Sequence, residues 1–171
     1  MVVTHPRSLF ERMIAAAKLE VALYEEVEAD ASATSQAAVV VTLAAIASAI
    51  GAAGGGPAGL FGGLIGALLG WLLWSGVTYL IGDKLLGGTA TWGELLRTIG
   101  FAQSAGVLYV LAAIPVLGGV IRLAVMVWVL VAGIIAIRQA LDFSTRKAIL
   151  TGVLGWVAMA LLSLLLVQPS C

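Results

Sequence analysis

Residues 82–102, Gly-Asp-Lys-Leu-Leu-Gly-Gly-Thr-Ala-Thr-Trp-Gly-Glu-Leu-Leu-Arg-Thr-Ile-Gly-Phe-Ala, form the one polar stretch in the middle of an otherwise apolar chain. Two apolar runs precede it and three follow, so the side of the membrane on which it lies fixes the path of all the others. The surrounding composition leaves little choice of class. The chain has 171 residues, 61% of them hydrophobic and 11% charged, with a mean hydropathy of +1.11. Soluble domains are about 45–50% apolar and about 25% charged. A water-soluble fold of this size has too little interior to hide so much apolar surface.

Working outward, the five runs are read as membrane-spanning helices over residues 37–53, 58–81, 99–117, 120–137 and 148–167. A hydrocarbon core of about 30 Å needs about 20 residues at about 1.5 Å each, and these runs are too long for strands. The predicted class is all-α: a polytopic membrane protein of five transmembrane helices preceded by an amphipathic N-terminal helix. Residues 1–36 form the polar N-terminal segment and 37–167 the membrane domain. The first span is rich in alanine, which suits close packing among helices. The 36 residues before it are too long and too acidic for a cleavable signal peptide, so this span is expected to direct its own insertion.

In the N-terminal segment Ser8 and Glu11 have the spacing of a capping box. Phe10, Met13, Ile14, Ala17, Val21 and Tyr24 then recur at threes and fours, which predicts one helix over about 8–30 on the membrane surface or on the ends of the spans. Glu25, Glu26, Glu28 and Asp30 crowd the end of that helix, where negative charge opposes the macrodipole. Such an end breaks unless a basic partner lies close. Two readings follow, a solvated acidic face or a docking place for a basic loop or cation.

The second span carries Gly62, Gly66 and Gly70 at every fourth position. This stripe is read as a helix-packing seam, its partner being the first span or another protein. Just before it, Gly54, Gly56 and Gly59 match GxGxxG, but the dinucleotide fingerprint needs a strand and a βαβ unit around it. Here it joins two apolar helices, and the nucleotide reading is set aside.

Charge gives the orientation. With the N-terminus in the cytoplasm, the inner segments are 1–36, 82–98 and 138–147. They hold eight of the nine basic residues and all nine acidic ones. The positive-inside rule therefore predicts N-in and C-out, in the cytoplasmic (inner) membrane. Arg122 is the exception. At a bilayer centre it would cost roughly 2.5–3.5 kcal/mol. It is read either as an anchor that snorkels to the interface or as a polar group facing the interior near Gln103 or Tyr109.

In the central stretch, Gly87-Gly88 makes a flexible turn. Thr91 and Glu94 form a second capping box, which opens a short helix Trp92–Arg97 leading into the third span. The pattern Gly87-Gly88-x-x-Thr91-Trp92-x-x-Leu95-Leu96-Arg97-x-x-Gly100-Phe101-Ala102-Gln103 resembles the central signature of the Yip-domain family, the Ypt/Rab-interacting membrane proteins. Trp128 and the run Ile137-Arg138-Gln139-Ala140-Leu141-Asp142-x-Ser144-Thr145-x-Lys147-Ala148 are similar to a later junction of that family. The resemblance covers roughly residues 10–167. It implies five spans, a cytoplasmic N-terminus and a non-enzymatic membrane protein that associates with others. The compact form looks bacterial, and the long extension that carries small-GTPase binding in eukaryotic members is missing. A further departure is Ser104-Ala105 where members often carry a proline.

No catalytic motif is present: no HExxH, no GxSxG and no acidic residue inside a span. One cysteine, Cys171, and one histidine, His5, do not build a zinc site. No metal or cofactor is expected. The expected partners are the lipid bilayer and other membrane proteins or a second copy, not nucleic acid. The favoured function is a membrane-organising scaffold or an accessory subunit of a larger complex. The alternative is a small-solute or ion permease, with Ser75, Thr78, Tyr79, Gln103, Ser104, Tyr109 and Arg122 as pathway groups.

Overall fold

In the computed structural model, which describes residues 7–52 and 56–166, helices follow one another from end to end and no strand occurs among the described residues. Two short helices come first, α1 (Leu9–Ala17) and α2 (Val21–Ala29). Five long elements follow: α3 (Ala33–Gly51), α4 (Gly56–Tyr79), α5 (Trp92–Ala102), α6 (Gly118–Ala140) and α7 (Thr145–Leu166). With its continuation to Ala113, α5 is one of five helices long and apolar enough to cross a membrane. The protein is an integral membrane protein with this all-α fold. Gly54 and Gly55, the first half of the Gly54–Pro57 turn and the start of the GxGxxG match, fall outside the described residues, as do His5 and Cys171, while Gly56 and Pro57 open α4.

Four local readings are corrected by the fold. The single helix expected over 8–30 is two helices. Leu19 takes a left-handed conformation (φ 62°), its N–H donating to Ala16 O while the Glu20 N–H donates to Ala15 O. That pair of bonds is the Schellman stop, built here on leucine instead of the usual glycine. The break turns α2 so that Leu23, Tyr24 and Val27 face inward. Second, α4 does not stop at 81 but widens into a π-helical turn, Leu80–Leu85. Third, the helix expected to be short, Trp92–Arg97, runs unbroken to Ala102. Both capping boxes form in full, Ser8 with Glu11 and Thr91 with Glu94. Fourth, the second half of the third span, Gln103–Ala113, is a 3₁₀-helix.

The long 3₁₀ segment has a packing reason. Buried residues of α3 recur as Ala33, Ala37, Val40, Ala44, Ala47 and Gly51, a seam at alternating fours and threes made almost entirely of small side chains. Opposite it stand Gly100, Gly106, Tyr109 and Ala112. A Cβ on Gly100 would lie 2.6 Å from the Ala37 Cβ, and one on Gly106 would lie 2.9 Å from the Ala44 Cβ. Gly51 backs onto the Tyr109 carbonyl and the Ala112 methyl. A 3₁₀-helix has 3.0 residues per turn, so residues 106, 109 and 112 stack in one straight row along this seam. Backbones that approach so closely bury α5 on every side, and Leu95 through Ala102 are all buried. At the far end Val116 (φ 70°) turns the chain from the third span into α6.

Candidate functional site

The fold brings the two motif-bearing junctions, residues 82–98 and 138–147, to the same end of the bundle. The local cause is the end of α6. Asp142 is left-handed (φ 53°), with its N–H donating to Gln139 O and the Phe143 N–H donating to Arg138 O. Aspartate tolerates that conformation better than most residues. The turn drives Leu141, only 1% exposed, into a notch between Gly82 and Gly88. A Cβ on Gly88 would sit 2.6 Å from the Leu141 Cδ2. The same turn lets Thr89 Oγ1 donate to Asp142 Oδ2 at 2.9 Å.

Arg97 and Arg12 lock the N-terminal helices onto this junction. Arg97, 8% exposed, donates from Nε to the carbonyls of Val27 (2.9 Å) and Glu28 (3.1 Å), at the end of α2. It thereby satisfies orphan carbonyls and supplies positive charge where the helix dipole is negative. Arg12, 5% exposed, donates to Glu26 (2.9 Å), Asp30 (2.8 Å) and Gln36 (2.9 Å). The acidic cluster thus has its basic partners within the chain. Asp30 is held below the usual carboxylate range by the Ser32 hydroxyl and by Arg12.

Glu28 behaves oppositely. Burial, with the nearby charges of Glu94, Asp142 and Glu25, pushes its carboxyl up to about 7 against the pull of Arg97. These four carboxyl groups line a cavity of about 280 Å³ with Ala29 and Gln139. Gln139 donates to Glu25 at 3.0 Å and accepts from Arg138 Nε at 2.9 Å. A neighbouring cavity of about 420 Å³ shares Gln139 and Asp142 and extends to Arg138 and Thr145. No cluster fit to hold a metal occurs among the described residues.

The structure distributes the sequence-predicted residues over three places. Gly87 (φ 71°), Gly88, Thr91, Arg97, Gly100 and Phe101 belong to the junction and the core beneath it, Phe101 being fully buried. Gln103 and Tyr109 line an intramembrane cavity of about 540 Å³ between α3, α4 and the third span, whose wall includes Gly70 and Trp71. Gln103 also borders a second cavity, about 550 Å³ and strongly apolar, between the third span, α6 and α7. Arg122 stands at the edge of this region, because Gly51, which it reaches, packs on the Tyr109 backbone. Exposed at the start of α6, it reaches across to the last carbonyl of α3, donating to Gly51 O at 3.1 Å. Its charge caps a helix C-terminus, a placement that carries features of both sequence readings.

Among the other polar groups of the spans, Ser104 donates to Phe101 O at 2.7 Å, while the buried hydroxyls of Ser75 and Thr78 have no partner among the described residues. Along Gly62, Gly66 and Gly70 a Cβ would meet nothing within 4 Å. Gly70 at the end of the stripe borders the cavity that lies between α4 and the first span. Arg12, Gln36 and the indole of Trp71, which donates to Leu96 O at 3.0 Å, were not marked by the sequence as site residues, and Leu141 was marked only as one position of the second family-like run. Only the acid cluster's need for a basic neighbour pointed toward one of them.

The chain was compared with known proteins. The family profile described as the Yip1 domain matches residues 1–167, nearly the whole chain. No curated protein and no solved structure matches it.

Proposed function

The chain belongs to the Yip1 domain family, and from that membership we propose that it is a non-enzymatic membrane-organising scaffold or an accessory subunit of a larger membrane complex. One observation carries the reading: the glycine face of α4 is open. A Cβ on Gly62 or Gly66 would meet nothing within 4 Å among the described residues, while Gly59, Gly63 and Gly70 border the cavity towards α3. A helix that presents bare backbone within a bilayer is suited to a second helix, because close backbone approach drives association where no hydrophobic effect does.

The charge partition supports an N-terminus in the cytoplasm and a C-terminus outside, in a cytoplasmic membrane. Cys171 is the single cysteine. A membrane-impermeant maleimide should label it in intact cells, and labelling only after permeabilisation reverses the orientation. For the scaffold reading, gentle detergent extraction and a native gel should show the protein in a defined larger species, which Gly66→Leu dissolves while the monomer stays folded. Migration as a monomer in native membranes would remove the reading.

A second reading, a small-solute or ion permease, has one observation in its favour: Gln103 stands between two intramembrane cavities of about 540 and 550 Å³. Flux of a labelled solute into liposomes holding the pure protein, lost in Gln103→Leu, would establish it.

A further inference from the structure

The helix α1 is built inside out for a helix that caps a protein in water. Its inward face buries the guanidinium of Arg12 together with Ala15 and Ala16, while Phe10 is 70% and Ile14 is 40% exposed on its outward face. Val21, at the start of α2, extends the outward apolar row. The helix does not stand clear of the membrane domain. It packs against the 3₁₀ half of the third span. At its end the indole of Trp128 donates to Ala17 O at 2.8 Å. Trp128 lies twelve residues before Ala140, the end of α6 at the charged junction. At about 1.5 Å per residue that is about 18 Å along a span, a substantial part of a hydrocarbon core of about 30 Å.

Trp128 is itself exposed, as are Val127 and Val131 beside it on α6 and Leu108 and Leu111 on the 3₁₀ segment. The outward row of α1 therefore continues the apolar surface that the spans present to lipid. We propose that α1 is embedded in the membrane leaflet at the junction end, with Phe10 and Ile14 among the acyl chains. The α1–α2 hairpin is then a wedge in that leaflet. Beside the apolar row, Ile14 borders a cavity of about 280 Å³ with Arg7, Glu11 and Glu20. Glu20 is neutralised by Arg7 at 3.6 Å, and Lys18 has a four-carbon stem with which to reach the headgroups. Arg12 is tolerated because Glu26, Asp30 and Gln36 enclose it on the protein side. The occupant of the face is lipid, and this holds whatever the protein organises.

The test places an environment-sensitive fluorophore on Ile14→Cys, in a Cys171→Ser background, in phosphatidylcholine liposomes. Ala29→Cys, exposed at the junction end of α2, serves as the aqueous comparison. The label at 14 should lose intensity with bromine-bearing acyl chains and be shielded from iodide, and the label at 29 should do the reverse. If iodide quenches both positions alike and bromolipid neither, α1 lies in water and the proposal fails. If neither quencher reaches 14, protein covers the face and lipid is the wrong occupant. Phe10→Cys repeats the measurement on the same face should Ile14→Cys fail to elute like the parent.

Discussion

Two glycine-rich surfaces of this molecule look alike in sequence and behave oppositely in the fold. On α4, Gly62, Gly66 and Gly70 repeat at the spacing that permits helices to touch, yet a Cβ on any of them would meet nothing within 4 Å among the described residues. At the junction and along the third span, Gly82, Gly88, Gly100 and Gly106 lie six or twelve apart, not at the threes and fours of a helix-packing stripe. Each is nevertheless pressed against a side chain, Leu141, Leu141 again, Ala37 and Ala44 in turn. Spacing states that a helix can be approached. What approaches it is decided by residues far away in the chain. Leu141 lies 53 positions beyond Gly88, and Ala44 lies 62 before Gly106.

The comparison can be broken most forcefully at Leu141. Leu141→Ala empties the notch and should cost about 2–5 kcal/mol. It should be read as a lower denaturation midpoint in mixed micelles. A loss near zero would mean that the two junctions are not joined. Next comes Gly106→Leu, which forces a side chain into the α3 seam and should destabilise by about 1–3 kcal/mol through overpacking. The same assay reports it.

A smaller effect, and one that depends on pH, belongs to Glu28. Its carboxyl is raised from 4.5 to about 7 by burial and by Glu94 and Asp142. A raised carboxyl favours the folded junction fully below its unfolded value and loses that contribution as pH climbs through the folded value. Stability should therefore decline between pH 4.5 and about 7, the window set by Glu28. Glu28→Gln should flatten that decline and melt higher than the parent at its upper end. Asp30, shifted the other way, gives the opposite slope at lower pH, so the Glu28→Gln difference curve isolates the first. The smallest effect on folding is expected at the other surface. Gly66→Leu should leave the monomer's midpoint unchanged within about 0.5 kcal/mol, as substitutions without a neighbour do. A large loss there would close the face regarded here as open.

Legibility followed the range of the interaction. Both capping boxes were readable because Ser8 with Glu11, and Thr91 with Glu94, complete their bonds within four residues. The break at Leu19 was not, because its left-handed residue is a leucine, the kind of residue such stops normally avoid. The 3₁₀ half of the third span was hidden as well. Its residues are as apolar as those of an α-helix, and only the straight row against Ala44 and Gly51 distinguishes the two. Arg122 was read as anchor or interior group, and what the sequence did not disclose was its partner, the carbonyl of Gly51, 71 residues away.

By itself, then, the sequence determined that this chain lives in a membrane, how many times its helices are long enough to cross, and which segments carry the charge. Those follow from hydropathy and length, and each is a sum over neighbours in the chain. Tertiary structure alone decided that two junctions form one site, that Arg12 and Arg97 bind α2 from opposite sides, that the seam runs between α3 and the third span, and that α4 is left open. Within a bilayer the solvent is as apolar as the side chains, so hydrophobicity does not choose which helix faces which. That choice rests on shape and on a few buried polar bonds, and both exist only once distant residues have met.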